Sequence, residues 1–290
     1  MSERNEITIE LVQNISLSIL ENDSSKLNNL IANLHIADIA EILKNIPVSQ
    51  AQFLYHILEE EKSAEILMQL DDSLREDLLS DLSAKEIAKE VIDKLESDDA
   101  ADVIGELSEK KQVEVLSHIE DKEHASGISN LLTYPEDTAG GLMAKELIKV
   151  NENWSTLQCL REMRKQAEHV KKVHTIYVVD DNELLLGSMS LKRLLVTETN
   201  TPIKKIIKTD IISVNDLEDN ENVANIMSKY DLIVLPVVNQ NNKLVGRITI
   251  DDVMEIVKEE AEKDYQMASG ISEDIEISDS IWALTRARLP

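Results

Sequence analysis

Cysteine occurs once, at Cys159, in a chain of 290 residues. No intrachain disulfide framework can form, and the usage fits a reducing compartment. Aromatic residues make up only 3%, with 7 Gly and 5 Pro. So few turn formers and rings point to a Leu/Ile/Ala-rich, mostly helical interior. Bases are scarce too: 30 Lys and Arg face 56 Asp and Glu, a formal charge of −26. That excludes a nucleic-acid binder, because phosphate contacts require clustered Lys and Arg. It also argues against docking on anionic lipid by charge. The longest apolar run, Leu232-Ile-Val-Leu-Pro-Val-Val238, has 7 residues. A bilayer span needs about 20. The start, Met1-Ser-Glu-Arg-Asn-Glu, lacks the basic and apolar regions of a signal peptide. The chain is therefore expected to be soluble and intracellular. The length fits roughly two or three domains.

What is present is acid, and it is unevenly spread. Residues 1–130 carry 29 acids and 11 bases, a net −18, and the remaining 160 carry 27 and 19, a net −8. Within the N-terminal stretch a short phrase recurs: Ala40-Glu-Ile-Leu43, Ala64-Glu-Ile-Leu67, Ala88-Lys-Glu-Val91 and Ala101-Asp-Val-Ile104, at spacings of 24, 24 and 13 residues. A 24-residue period holds two short helices and a turn, the mark of a stacked helical array. Pro47, Ser73, Ser83 and Ser97 sit where helices should start or stop.

The C-terminal stretch is an internal duplication. Ile176–Leu195 aligns with Leu235–Met254 at an offset of 59 residues. Each copy reads as strand, polar turn, strand and helix. Asp180-Asp-Asn and Asn239-Gln-Asn-Asn supply the turns, and Ser190 and Thr249 the helix N-caps. Helices are expected upstream, around 154–168 and 220–229, so the unit is βαββα, twice. Gly187 and Gly246 read as turn glycines.

This order resembles a tandem pair of CBS modules behind an acidic helical domain. The segment Tyr134-Pro-Glu-Asp-Thr-Ala-Gly-Gly-Leu-Met143 closely resembles the signature that joins the helical domain to the first CBS module in MgtE-type magnesium transporters. The resemblance covers essentially the whole chain. It implies an α + α/β fold: an acidic helical-repeat N domain (1–130), a linker (131–142), two CBS domains (143–200 and 201–257) and a connecting helix with a pre-membrane segment (258–290). It also implies a transmembrane pore, absent from this chain, at the cytoplasmic face of the plasma membrane. The ending Arg286-Ala-Arg-Leu-Pro290 suits that, since Lys and Arg concentrate on the cytoplasmic side of a first membrane helix.

The chemistry is expected in carboxylates. Mg²⁺ is a hard cation, held by one or two carboxylates while keeping several waters. The His and Cys content offers no soft or zinc-type site. Asp98 and Asp102 are i and i+4 on one helix face and repel each other until a cation intervenes. A solvated helix face accounts for such pairs in an arbitrary acidic protein. The resemblance implies more: Mg²⁺ between carboxylates of the helical domain, the second CBS module and the connecting helix. The matching positions are Glu65, Asp98, Asp102, Glu221, Asp231, Asp252, Glu255, Glu260 and Asp264. Lys263 stands where the family often has an acid. Rising Mg²⁺ would draw the acidic regions together and close the pore, a negative-feedback sensor.

CBS modules also bind adenosine nucleotides, with a Ser/Thr facing phosphate and an acid three residues on receiving the ribose. Here Thr249 and Asp252 are the residues a nucleotide would meet. In the first module Arg193 replaces the acid and cannot accept hydrogen bonds. Nucleotide binding is therefore expected to be weak or absent. The resemblance further implies a homodimer through the CBS half, with Leu191, Leu194, Leu195, Ile250, Val253 and Ile256 as apolar helix residues beyond one module's needs. Two other readings compete: a stand-alone CBS nucleotide sensor gating a partner, and a structural helical array. No enzyme motif is present: the chain has no P-loop, zinc motif or Ser/His/Asp order.

Overall fold

The structure, a computed structural model, describes residues 7–254, 256–258 and 261. It divides into two compact units, residues 1–133 and 134–290.

The first unit is helical. Its elements are α1 (Ile9–Leu20), α2 (Ser24–Ile31), α3 (Ile36–Lys44), α4 (Val48–His56), α5 (Glu60–Leu67), α6 (Asp72–Ser80), α7 (Ala84–Glu86), α8 (Ser97–Gly105), α9 (Glu109–His118) and α10 (Lys122–Leu131). α3 packs on α5, α4 on α6, α7 on α9 and α8 on α10. Each helix thus meets its counterpart in the next repeat, as stacked repeats require. The recurring phrase explains the stacking. Ala40, Ile42 and Leu43 are buried, as are Ala64, Ile66 and Leu67, and again Ala101, Val103 and Ile104. The third copy deviates. Ala88 and Val91 fall in a π-helical turn (Ile87–Val91) followed by a 3-10 turn (Ile92–Lys94), where Ile87, Val91 and Ile92 are wholly buried. The changed phrase and the 13-residue step after it coincide with this break.

The helix starts are local chemistry. Ser83 and Glu86 form a reciprocal capping box: the Ser83 Oγ accepts from Glu86 N–H, and Glu86 Oε2 accepts from Ser83 N–H at 2.8 Å. Pro47 precedes α4. Ser73, expected at a helix start, lies inside the first turn of α6, whose cap is Asp71. Two carboxylates next to each other, Asp71 and Asp72, give the helix an N-cap and a first-turn charge that outrank the serine.

The second unit carries the duplication. After a short helix, α11 (Ala139–Leu142), the first module runs β1 (Ile148–Asn151), α12 (Thr156–Gln166), β2 (Ile176–Val179), β3 (Leu185–Met189) and α13 (Leu191–Val196). The second runs β4 (Val214–Asn215), α14 (Asn220–Lys229), β5 (Val234–Val238) and β6 (Leu244–Thr249), then helical residues from 250. Each sheet has one parallel and one antiparallel pairing, β1-β2-β3 and β4-β5-β6.

The two hairpins pair at their tips. Leu185 N–H donates to Asn242 O at 3.1 Å and Leu244 N–H to Glu183 O at 3.2 Å. Glu183 and Asn242, at equivalent positions of the duplication, both adopt left-handed backbone, with φ 67° and 58°. A second pair of contacts obeys the same symmetry. Ser188 exchanges both backbone hydrogen bonds with Lys208, and Arg247 does so with Ala144. The segment entering each module therefore lies along the last strand of the other.

That close approach, rather than turn geometry, explains the glycines. A Cβ on Gly187 would collide with Lys208 O, and one on Gly246 would lie 2.6 Å from Met143 Sδ. Residues 134–144, read above mostly as linker, fold onto the second module: Ala139 N–H donates to Glu218 O and Gly140 N–H to Asp216 O.

Candidate functional site

The three candidate ligands of the first unit, Glu65, Asp98 and Asp102, fall on two helices. Glu65 is exposed on α5, between the buried Ala64 and Ile66. Asp98 and Asp102 share α8, one turn apart. Their environments differ. Asp98 is buried, and its Oδ1 accepts from Asp99 N–H at 3.0 Å within the first helical turn, whereas Asp102 is exposed. The i, i+4 spacing is as expected, but of this pair only Asp102 is exposed.

In the second unit Glu221 and Asp231 flank α14. Glu221 is exposed in the first turn and Asp231 just beyond the last, in left-handed backbone with φ 51°. At a rise of about 1.5 Å per residue the helix separates their backbones by about 15 Å. They cannot ligate one ion between them. The loop after Asp231 is instead joined to the start of the last helix, where Ile250 N–H donates to Ile233 O at 3.0 Å. That is the helix carrying Asp252. Glu255, Glu260 and Asp264, with most of the connecting segment, lie outside the described residues.

Asp252 is held from one side. Its Oδ2 accepts from Thr249 N–H at 2.9 Å and from the Thr249 hydroxyl at 2.7 Å. Burial raises its pKa above the usual carboxylate range, opposed by these two hydrogen bonds and by the Arg247 guanidinium. The matching Ser190 behaves differently: its Oγ accepts from Arg193 N–H at 3.2 Å, an ordinary N-cap. Thr249 donates because residue 252 is a carboxylate; Ser190 accepts because residue 193 is not. Among the described residues no three His, Cys, Asp or Glu side chains form a ready-made metal centre. Carboxylate oxygens are nevertheless the donor set for a hydrated Mg²⁺, which needs only one or two of them.

Between the two modules lies a small pocket lined by Ile148, Val170, Thr175, Tyr177, Val234 and Arg247, among others. Tyr177 is buried, and its hydroxyl has no hydrogen-bond partner among the described residues. Burial pushes its pKa up, with Arg247 acting the other way. Lys172 and His174 also line the pocket. Thr249 and Asp252 are not among its lining residues.

Two polar constellations were not anticipated. In the first unit the buried Arg75 of α6 pairs with Glu106 at 2.9 Å and donates to Leu70 O at 3.1 Å. Burial raises Glu106 to about 7 despite Arg75, with Asp72 and Glu76 adding to the rise. In the second unit the Tyr134 hydroxyl donates to the buried Asp216 at 3.1 Å, and the Lys145 ammonium lies 5.7 Å from the Tyr134 ring centre. Burial lowers Lys145 to about 8, opposed by Asp216 and Glu146. The Tyr134 ring rests on Gly140, where a Cβ would collide with it. Tyr134 and Gly140 are visible in the signature phrase, but nothing near Asp216 in the sequence marks it as their partner.

Residues 34–137 match the MgtE intracellular N domain, and residues 139–197 and 203–259 each match the CBS domain. The chain carries an MgtE intracellular N domain followed by two CBS domains. The magnesium transporter MgtE of Bacillus subtilis is 27% identical over 281 residues, which are 97% of this chain and 62% of that protein. MgtE of Thermus thermophilus is 35% identical over 156 residues, 54% of this chain and 35% of that protein. The chain thus spans less than two thirds of the length of these MgtE relatives. Among solved structures, the cytosolic domain of the Mg²⁺ channel MgtE in complex with ATP superposes with a TM-score of 0.77 at 28% identity, over 84% of this chain and 99% of that one. The soluble part of a magnesium transporter gives 0.72 at 25% identity, over 87% and 98%. MgtE is a family of transporters, not of enzymes. Among the described residues no helix is long and apolar enough to cross a membrane.

Proposed function

We propose that this chain is the cytosolic, Mg²⁺-sensing region of a magnesium transporter, acting on a pore domain of the same protein. One observation carries the reading: an MgtE N domain and a CBS pair follow each other over residues 34–259, and the cytosolic domain of the Mg²⁺ channel MgtE superposes on most of this chain. The chemistry supports it. A net −18 over residues 1–130 and 11 acids over residues 251–279 make two acidic regions that repel until divalent cations sit between them. Asp102, Asp231, Asp252 and Glu221 supply carboxylates, together with Glu65, Asp98, Glu255, Glu260 and Asp264. Each ion favours the compact state only by its differential affinity, so several weak sites give a steep response. Cytosolic Mg²⁺ then favours the closed state. Calorimetric titration of the chain with Mg²⁺ at fixed ionic strength tests this. Heats of saturable binding in the millimolar range are expected; heats indistinguishable from dilution would reject it.

A homodimer through the CBS half belongs to this reading. Leu194, Val253 and Ile256, assigned to the dimer face from sequence, are buried within the module. Among the described residues of the two helices after Ser190 and Thr249, the exposed apolar ones are Leu195 (63%), Val196 (76%), Met254 (59%) and Val257 (44%).

A second reading rests on the pocket. Its apolar walls, the Tyr177 hydroxyl, which has no hydrogen-bond partner among the described residues, and the adjacent cations Lys172 and Arg247 match the chemistry of an adenosine nucleotide, and seating one requires this small pocket to widen. The ATP bound by a structural relative favours the same class. In this role the nucleotide modulates the Mg²⁺ sensor or gates a partner. ATP binding that survives Thr249→Val and is lost in Tyr177→Ala places the ligand in the pocket, away from Thr249 and Asp252.

A further inference from the structure

The duplication gives Ser190 and Thr249 the same place, at the end of a last strand and the start of a helix, yet their hydroxyls run in opposite directions. Ser190 accepts a hydrogen bond from the backbone of Arg193. Thr249 spends both its hydroxyl and its N–H on a single oxygen, Oδ2 of Asp252. Thr249 is itself buried, at 8% exposure, so water competes little for these bonds.

Two donors on one oxygen fix the carboxylate. An aspartate normally turns about two side-chain bonds, and an ion that binds it must stop that motion. Here the motion is already stopped. With Oδ2 committed to the cap, Oδ1 is the oxygen outside these two bonds. Mg²⁺ usually takes a carboxylate through one oxygen and keeps its waters, so a single oriented oxygen is a suitable ligand.

We propose that Thr249 is a positioning residue for Mg²⁺ binding at Asp252: it touches no ion, but its hydroxyl holds Oδ2 so that Oδ1 is presented to the cation. The inference rests on the reading that Asp252 ligates Mg²⁺. The first module has no such device, because Arg193 leaves Ser190 no carboxylate to hold. Partners that orient a metal ligand commonly matter for affinity nearly as much as the ligand does.

The test is a Mg²⁺ titration of the whole chain, followed by thermal melting, for wild type, Thr249→Val, Thr249→Ser and Asp252→Asn. Valine keeps the shape and the backbone N–H but removes the hydroxyl; serine restores the hydroxyl. Thr249→Val is expected to raise the Mg²⁺ midpoint about ten-fold, while Thr249→Ser stays within about two-fold of wild type. Asp252→Asn is expected to raise it at least as far as valine does. If Asp252→Asn shifts the midpoint and Thr249→Val does not, the positioning role is overturned and the ligand reading survives. If Asp252→Asn leaves the midpoint unchanged, the ligand reading fails and takes the positioning role with it. A Thr249→Val chain that melts lower without Mg²⁺ but keeps the wild-type midpoint shows a purely structural cap, which also overturns the proposal. Should valine prevent folding, Thr249→Ala carries the same comparison.

Discussion

At Glu106 the fold holds a proton near neutral pH that the unfolded chain would release. Its carboxyl rises from 4.5 to about 7, chiefly through burial. Between those values the folded state binds more protons than the unfolded state, so stability falls as pH rises through the window. Above about 7 both states are ionised and the full cost is present. Glu106→Gln removes the titration. Its stability relative to wild type should climb from acid to neutral pH, read as the N-domain melting transition; parallel pH profiles would show that Glu106 is not responsible. Two glycines give a second residue-level prediction. A Cβ at Gly187 would lie 2.3 Å from the Lys208 carbonyl oxygen, while one at Gly246 would lie 2.6 Å from the flexible Met143 side chain and 2.9 Å from the Ala144 carbonyl oxygen. Gly187→Ala should cost about 1–3 kcal/mol in chemical denaturation and Gly246→Ala less. Equal losses would mean that the strand approach does not set the cost. Neither glycine's role was legible in the sequence, because the neighbour that excludes a side chain enters from a different module. Ser190 was legible, since an N-cap depends on residues three apart.

Elements were more readable than residues. The 24-residue recurrence located α3 and α5, and the 59-residue offset located both hairpins and their flanking helices, because periodicity and turn chemistry are local. The π-helical turn at Ile87–Val91 was hidden, since its residues are as apolar and helix-compatible as their neighbours. Three of the six apolar residues assigned to a dimer face, Leu194, Val253 and Ile256, are buried within the module: a six-residue helix such as α13 shows too few turns for its buried side to be phased from sequence. Leu195→Asp combined with Met254→Asp should convert a dimer to a monomer in sedimentation; a monomeric wild type at micromolar concentration would remove the dimer from the account. For α8 the burial of Asp98 makes Asp102→Asn the cleaner probe. Losing one i, i+4 repulsion gains only about 0.2–0.5 kcal/mol, so the melt without Mg²⁺ should hardly move. The Mg²⁺-dependent rise in melting temperature should shrink. An unchanged rise would strike Asp102 from the Mg²⁺ ligands.

On the scale of the whole molecule, the order of domains was legible and the site was not. An acidic repeat, a signature segment and two CBS modules can be ordered from one chain. Carboxylates of different elements meet only through folding, and Glu221 and Asp231 illustrate the limit: close in sequence, they sit at opposite ends of α14. The central claim is that Mg²⁺ relieves repulsion among acidic regions and makes the molecule more compact. Small-angle scattering of the chain with and without millimolar Mg²⁺, at matched ionic strength, tests it most directly. A smaller radius of gyration is expected with Mg²⁺, reversed by chelation. The same radius under both conditions would contradict it.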